Sequence, residues 1–108
     1  MSSFFLLVFL VTQNFTDTPV DTNILYGTRA TLECRSVGEP KPSLTWMWRE
    51  RSWTQLKNII SGDNYIIHNN GSLTINSVKS DLQGDYFCVS SSPGYQVMVS
   101  AKLTVYGK

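Results

Sequence analysis

One histidine and two cysteines are all that this chain of 108 residues offers for nitrogen or sulfur chemistry. A structural zinc site takes about four ligands from Cys and His, so the inventory falls short of one. His68 has Asp63 as its nearest acid in sequence and reads as a solvated imidazole at a strand end, not as a base with a nucleophile to activate. Asp17 and Asp21 straddle a proline, and no D-x-[DN]-x-[DN]-G run or glycine-rich phosphate loop is present. Nine basic and eight acidic side chains leave a net charge of +1, too little to gather a polyanion from a distance. The expectation is a non-enzyme with no catalytic, metal-binding or cofactor-binding residues, and with no nucleic acid among its partners.

Long apolar runs are missing too. The one stretch of that kind, Phe4 to Val11, has eight residues, whereas a membrane-spanning helix needs about 20. Directly behind the initiator Met it suits the apolar region of a secretory signal, with residues 1–13 as the segment removed. Its flanks fit less well, because no Lys or Arg precedes it and Thr12 is the only small residue near the cut. A buried first strand is the other reading. No second run follows, so no span is expected within this sequence.

Secretion fits the cysteines, since an even count in a small extracellular domain usually means one bridge. Cys34 and Cys88 are 54 positions apart, and closing a loop of that size is worth about 4 kcal/mol in the chain-entropy account. Two buried free thiols in a cytosolic chain are the alternative. Asn14-Phe15-Thr16 and Asn70-Gly71-Ser72 both satisfy the acceptor pattern for N-glycosylation, again an extracellular trait. Asn70-Gly71 is also the favoured pair for a two-residue hairpin turn, so turn geometry alone could account for it.

Helical spacing is absent, whereas strict alternation of apolar and polar residues recurs along the chain. Ala30, Leu32 and Cys34 share one phase; so do Leu44, Trp46 and Trp48, then Tyr86 and Cys88, then Val97 through Val105. Residues 64–68 and 72–75 flank the Asn69-Asn70-Gly71 turn as a hairpin. Strands at this spacing, with Gly and Pro between them, predict an all-β antiparallel sandwich.

Gly27, Ala30, Leu32 and Cys34, then "GEPKPSLTW", "NGSLTI" with Val78, "GDYFC" and "AKLTV", taken together, resemble an I-set immunoglobulin domain. The resemblance covers about residues 17–106 and assigns the domain to 14–108. It implies a Greek-key sandwich in which Cys34 and Cys88 join two sheets and Trp46 packs on the bridge. Tyr86 would then form the tyrosine corner, with Leu32 and Leu103 in the core. One departure stands out. Family members carry Asp-x-Gly-x-Tyr-x-Cys, whereas "DLQGDYFC" places both Leu82 and Gln83 between Asp81 and Gly84 and shifts Asp81 from its usual role.

On such a sandwich the residues out of phase with Trp46, Cys88 and Leu103 should face water on the sheet of the family's strands C, F and G. Met47, Phe87, Val89 and Met98 would then lie side by side as an apolar patch, the kind of surface that marks an interface. Trp48 should close the end of the core, and Trp53, in a polar connection, should sit at the rim as an anchor. Arg49, Arg51, Lys57 and Lys41 could gather into a small basic cluster for sulfated glycans. Interspersed Glu39 and Glu50 make solvated charge the stronger reading, so glycan binding is not expected.

The resemblance implies a secreted or cell-surface recognition module of the adhesion and receptor type, with a protein partner that could be a second copy. Its alternatives are a spacer in a matrix or muscle filament and a soluble ligand-binding immune factor.

Overall fold

A computed structural model describes residues 12–107, so the apolar run from Phe4 to Val11 lies outside the described residues. Ten strands and one short 3-10 turn are formed by the described residues. They are β1 (Thr12–Asp17), β2 (Thr22–Leu25), β3 (Ala30–Leu32), β4 (Arg35–Glu39) and β5 (Ser43–Glu50). After these come β6 (Lys57–Asn58), β7 (Tyr65–Ile67), β8 (Leu73–Ile75), the turn Ser80–Leu82, β9 (Gly84–Ser92) and β10 (Tyr95–Tyr106).

Five strands in the order β2-β10-β9-β5-β6 form one sheet, and β3-β8-β7 and β1-β4 form the other layer. All pairings are antiparallel except that of β2 with β10, which is parallel. The chain crosses from β1 in one layer to β2 in the other through Thr18 to Asp21, where Pro19 is buried. Proline suits that crossing because it has no N–H to leave unpaired between two ladders.

Alternation explains which side chains meet between the layers. Ala30, Leu32, Leu73 and Ile75 from one sheet face Trp46, Tyr86, Cys88 and Leu103 from the other, all at most 3% exposed. Cys34 and Cys88 are disulfide-bonded and fully buried, and Trp46 stands directly across from Cys88 on the neighbouring strand. Trp46 Nε1–H donates to the carbonyl of Gly71 at 2.8 Å, which ties β5 to the turn between β7 and β8 in the opposite layer.

That turn differs from the two-residue Asn70-Gly71 form. Gly71 N–H donates to the His68 carbonyl at 2.9 Å, so Asn69 and Asn70 are the central residues, and neither of them has positive φ. Gly71 follows at φ +102°, as in a hairpin whose turn ends in a left-handed glycine. A Cβ there would collide with Leu44 and lie 2.8 Å from the Cys34 carbonyl, so the position is closed to larger residues by packing as well as by backbone. His68 is not simply solvated: its Nε2 lies 2.8 Å from Thr74 Oγ1, which is 3.0 Å from Thr31 Oγ1.

At the other pole Tyr86 O–H donates to the Leu82 carbonyl at 2.6 Å. The additional residue in "DLQGDYFC" has a use here, because Gln83 Oε1 accepts from Val105 N–H at 2.9 Å. Asp81, displaced by one position, makes no hydrogen bond or ion pair among the described residues. Trp48 packs at the edge of the core with its ring centroid 6.4 Å from that of Tyr86, and its Nε1 is buried without a partner.

Burial lifts the Tyr86 phenol far above its ordinary value of 10.0, with the neighbouring Tyr65 hydroxyl adding to the effect. Tyr65 is raised from 10.0 as well, chiefly by burial. The unfolded chain therefore releases these protons near pH 10 while the folded one keeps them, so their share of stability is whole below pH 10 and is lost as pH rises beyond it. Tyr86→Phe should lower the urea midpoint, by about 1 kcal/mol of stability at neutral pH, with an unchanged m-value. Its stability should also fall less steeply above pH 10 than that of the parent.

Candidate functional site

The register of the five-stranded sheet sets its outer face row by row. Met47, Phe87 and Ser100 stand across from one another on β5, β9 and β10; Thr45, Val89 and Met98 form the next row, and Arg49, Asp85 and Lys102 the row on the other side. These are the positions out of phase with the core, as alternation expects.

The apolar patch is smaller than the four-residue surface expected from the sequence. Met98 is 47% exposed, and Met47 and Phe87 are half-buried. Val89 is only 2% exposed and does not reach the surface, which corrects its place among the interface residues. A short branched side chain on the middle strand, with Met98 opposite and Phe87 two residues along, is overtopped by these longer neighbours. Alternation reports phase, but not how far a side chain projects.

Phe87 is covered in part by Arg49, whose guanidinium lies 5.3 Å from the ring centroid and pairs with Asp85 at 2.9 Å. Arg51 crosses the end of the face and donates to Thr104 Oγ1 at 3.1 Å. Trp53 is 43% exposed in the connection after β5, with Lys57 Nζ 4.2 Å above its ring. The basic cluster, the weaker of the two readings of these charges, does not assemble, because Lys41 precedes β5 while Arg51 follows it, which places them at opposite ends of that strand. Within the group, Arg49 is neutralised by Asp85 and Lys57 is drawn onto Trp53.

Both glycosylation triplets lie on the opposite layer. Asn14 is exposed on β1 and stands across from Val37, itself 48% exposed. Asn70 is exposed in the turn between β7 and β8, where its Oδ1 accepts from Ser72 N–H at 3.0 Å.

Sequence reasoning missed an open cleft of about 720 Å³ at the end of the sandwich, where Arg35, Lys41, and His68 with Asn70 converge from three segments. It also missed a polar group inside that end. Ser90 is fully buried and bonded to Gln13 Nε2 at 2.5 Å and Ser36 Oγ at 2.8 Å. The signal was available, since Ser90 and Ser92 continue the inward phase of Tyr86 and Cys88. Among the described residues no group of three His, Cys, Asp or Glu side chains could hold a metal ion, and no helix is long and apolar enough to cross a membrane.

Comparison with known proteins gives a consistent picture. The family model described as "Immunoglobulin I-set domain" matches residues 13–105. Human "Immunoglobulin superfamily member 10" is 38% identical over 82 residues, covering 76% of this chain and 3% of that protein. "Protein sidekick" of Drosophila melanogaster is 37% identical over 87 residues, covering 81% of this chain and 4% of that protein. This chain thus spans only a small fraction of the length of the relatives that it matches. Among solved structures, the N-terminal eight immunoglobulin domains of Down Syndrome Cell Adhesion Molecule superpose with a TM-score of 0.78 at 22% identity, over 88% of this chain and 12% of that one.

The corrected face makes a stability prediction. Val89→Ala should destabilise the domain by about 1 to 3 kcal/mol, as a buried valine does, whereas Met98→Ala should stay within about 0.5 kcal/mol of the parent. Denaturant midpoints of the two variants check the difference; equal and small effects would return Val89 to the surface.

Proposed function

This chain belongs to the I-set immunoglobulin domain family, and from that membership we propose that it is a non-enzymatic protein-recognition module of an extracellular adhesion or receptor protein. It engages a protein partner through the outer face of β5, β9 and β10. The observation that carries this reading is the apolar half of that face, where Met98 stands 47% exposed beside Met47 and Phe87. Most of the remaining large apolar side chains are consumed by the core, and those left exposed lie at the edges and ends of the sandwich, Leu25 beside Tyr106 among them. Apolar side chains grouped on an otherwise polar sheet face are what a protein interface uses.

Several further features support the reading. A buried disulfide belongs in an oxidising compartment. The apolar run at Phe4 to Val11 serves as the export signal in this account, and Asn14 and Asn70 as glycan acceptors. Sugars at both sites would rise from the layer opposite the proposed face, leaving that face open. The similarity to "Cell Adhesion Molecule" domains rests on fold, so it suggests a context and not a partner.

The test uses fluorescent tetramers of the secreted chain on live cells. Met47→Glu combined with Met98→Glu should weaken cell-surface staining by about tenfold or more, the change expected from about 1.4 kcal/mol per tenfold. Val37→Glu, on the opposite layer, should leave it unchanged. The reverse pattern would sink the assignment to this face.

A further inference from the structure

The Asn70-Gly71-Ser72 triplet is tied into the centre of the sandwich, and its ties limit when it can be modified, an inference that rests on the extracellular reading above. The Gly71 carbonyl accepts from Trp46 Nε1–H at 2.8 Å. Ser72 is 5% exposed; its Oγ accepts from Cys34 N–H at 3.4 Å and its carbonyl from His68 N–H at 2.9 Å. Of the three, only Asn70 is exposed. Its Oδ1 is held by Ser72 N–H, while its Nδ2 donates to nothing among the described residues, and the residue lines the open cleft. A sugar on that nitrogen has room in the finished fold.

Asn14-Phe15-Thr16 is held differently. It lies on β1, which pairs on one side only, with β4, and both Asn14 and Thr16 are exposed. Thr16 Oγ1 has a single partner, the Arg35 carbonyl at 3.5 Å, and Phe15 alone packs against the core. An edge strand of this kind opens locally, whereas a turn fixed to a buried tryptophan and beside the disulfide opens only with the core.

We propose that Asn70 takes its glycan only before Cys34 and Cys88 are joined, so that sugar transfer and bridge closure compete at this turn, while Asn14 is open to transfer before and after folding. N-glycosylation reads the whole triplet, and the hydroxyl of its third residue is needed as well as the Asn amide. At Ser72 the fold buries that hydroxyl against Cys34. In the transfer, Asn70 Nδ2 bonds to the anomeric carbon of a lipid-pyrophosphate-linked oligosaccharide. The carbon–oxygen bond to pyrophosphate breaks, the lipid pyrophosphate leaves, and the nitrogen gives up one of its two protons. Bridge closure is a thiol–disulfide exchange: Cys34 and Cys88 lose two protons and two electrons to the disulfide of an oxidoreductase, which is left as a dithiol. If transfer comes first, the domain folds with a sugar standing over the cleft of Arg35, Lys41 and His68. If closure comes first, Asn70 stays bare and the cleft stays open.

The test offers the oxidised chain, produced without glycans in bacteria, to purified oligosaccharyltransferase and its lipid-linked donor, with occupancy at each site read by mass spectrometry. The expected result is modification of Asn14 and not of Asn70. Reducing the bridge should raise the Asn70 rate by about tenfold or more and change the Asn14 rate by less than about twofold. Trp46→Ala removes the tie to Gly71 with both cysteines in place, and should release Asn70 even where the reduced chain keeps its fold. Equal Asn70 rates in the oxidised and opened chains overturn the proposal. So does an Asn70 that stays unmodified in the reduced and Trp46→Ala chains while Asn14 is modified, or an Asn14 that also waits for reduction. Modification of neither site in any form removes the reading of both triplets as glycan acceptors, and the proposal with it.

Discussion

The clamp between Cys34, Cys88 and Trp46 is the constraint on which the other features depend. The disulfide joins the layers at the centre of the sandwich, and Trp46, directly opposite Cys88, fills the space beside it. Its indole N–H then reaches the Gly71 carbonyl in the other layer, so one residue both packs the bridge and anchors the far turn. Closing the 54-residue separation is worth about 4 kcal/mol, a large share of a small domain's stability. Once Trp46 and Cys88 are pinned inward, the pleat leaves no freedom to their neighbours. Met47 and Phe87 must point outward, and so must Met98 on the next strand. The surface proposed for recognition is in this sense the other side of the clamp.

Much of this was legible because a strand with one buried face writes its phase into the sequence. Ala30, Leu32 and Cys34, and again Tyr86 and Cys88, alternate without a break, and the sheet follows them. The tyrosine corner was legible for the same reason, since the Gly84, Tyr86 and Cys88 spacing is kept even where Asp81 is displaced. What phase does not carry is height and reach. Val89 has an outward phase and a buried side chain, because Met98 across from it and Phe87 two residues along its own strand are longer. Arg49 spans from Asp85 to Phe87, a contact between a cation and a ring that no alternation rule anticipates.

Other features were hidden because they depend on segments far apart in the chain. The cleft at the end of the sandwich draws Arg35, Lys41, His68 and Asn70 together only after the layers stack. Gln83 looks like a surplus residue in "DLQGDYFC", and only the folded chain shows its side chain holding Val105 N–H. The Asn69-Asn70-Gly71 turn was legible between its flanking strands, but its form was not. Asn-Gly is a strong signal for a two-residue loop, yet a longer turn that closes on a left-handed glycine uses the same letters.

The central claim is that one face of this domain, the side turned away from the clamp, meets its partner. Site-specific photo-crosslinking tests it most directly, with a benzophenone amino acid introduced at Ser100, in the middle of that face, or at Thr31, exposed on the opposite layer. The secreted chain is bound to live cells, irradiated and examined for adducts. The account predicts a discrete adduct from position 100 and none from position 31. An adduct from position 31 alone would contradict it.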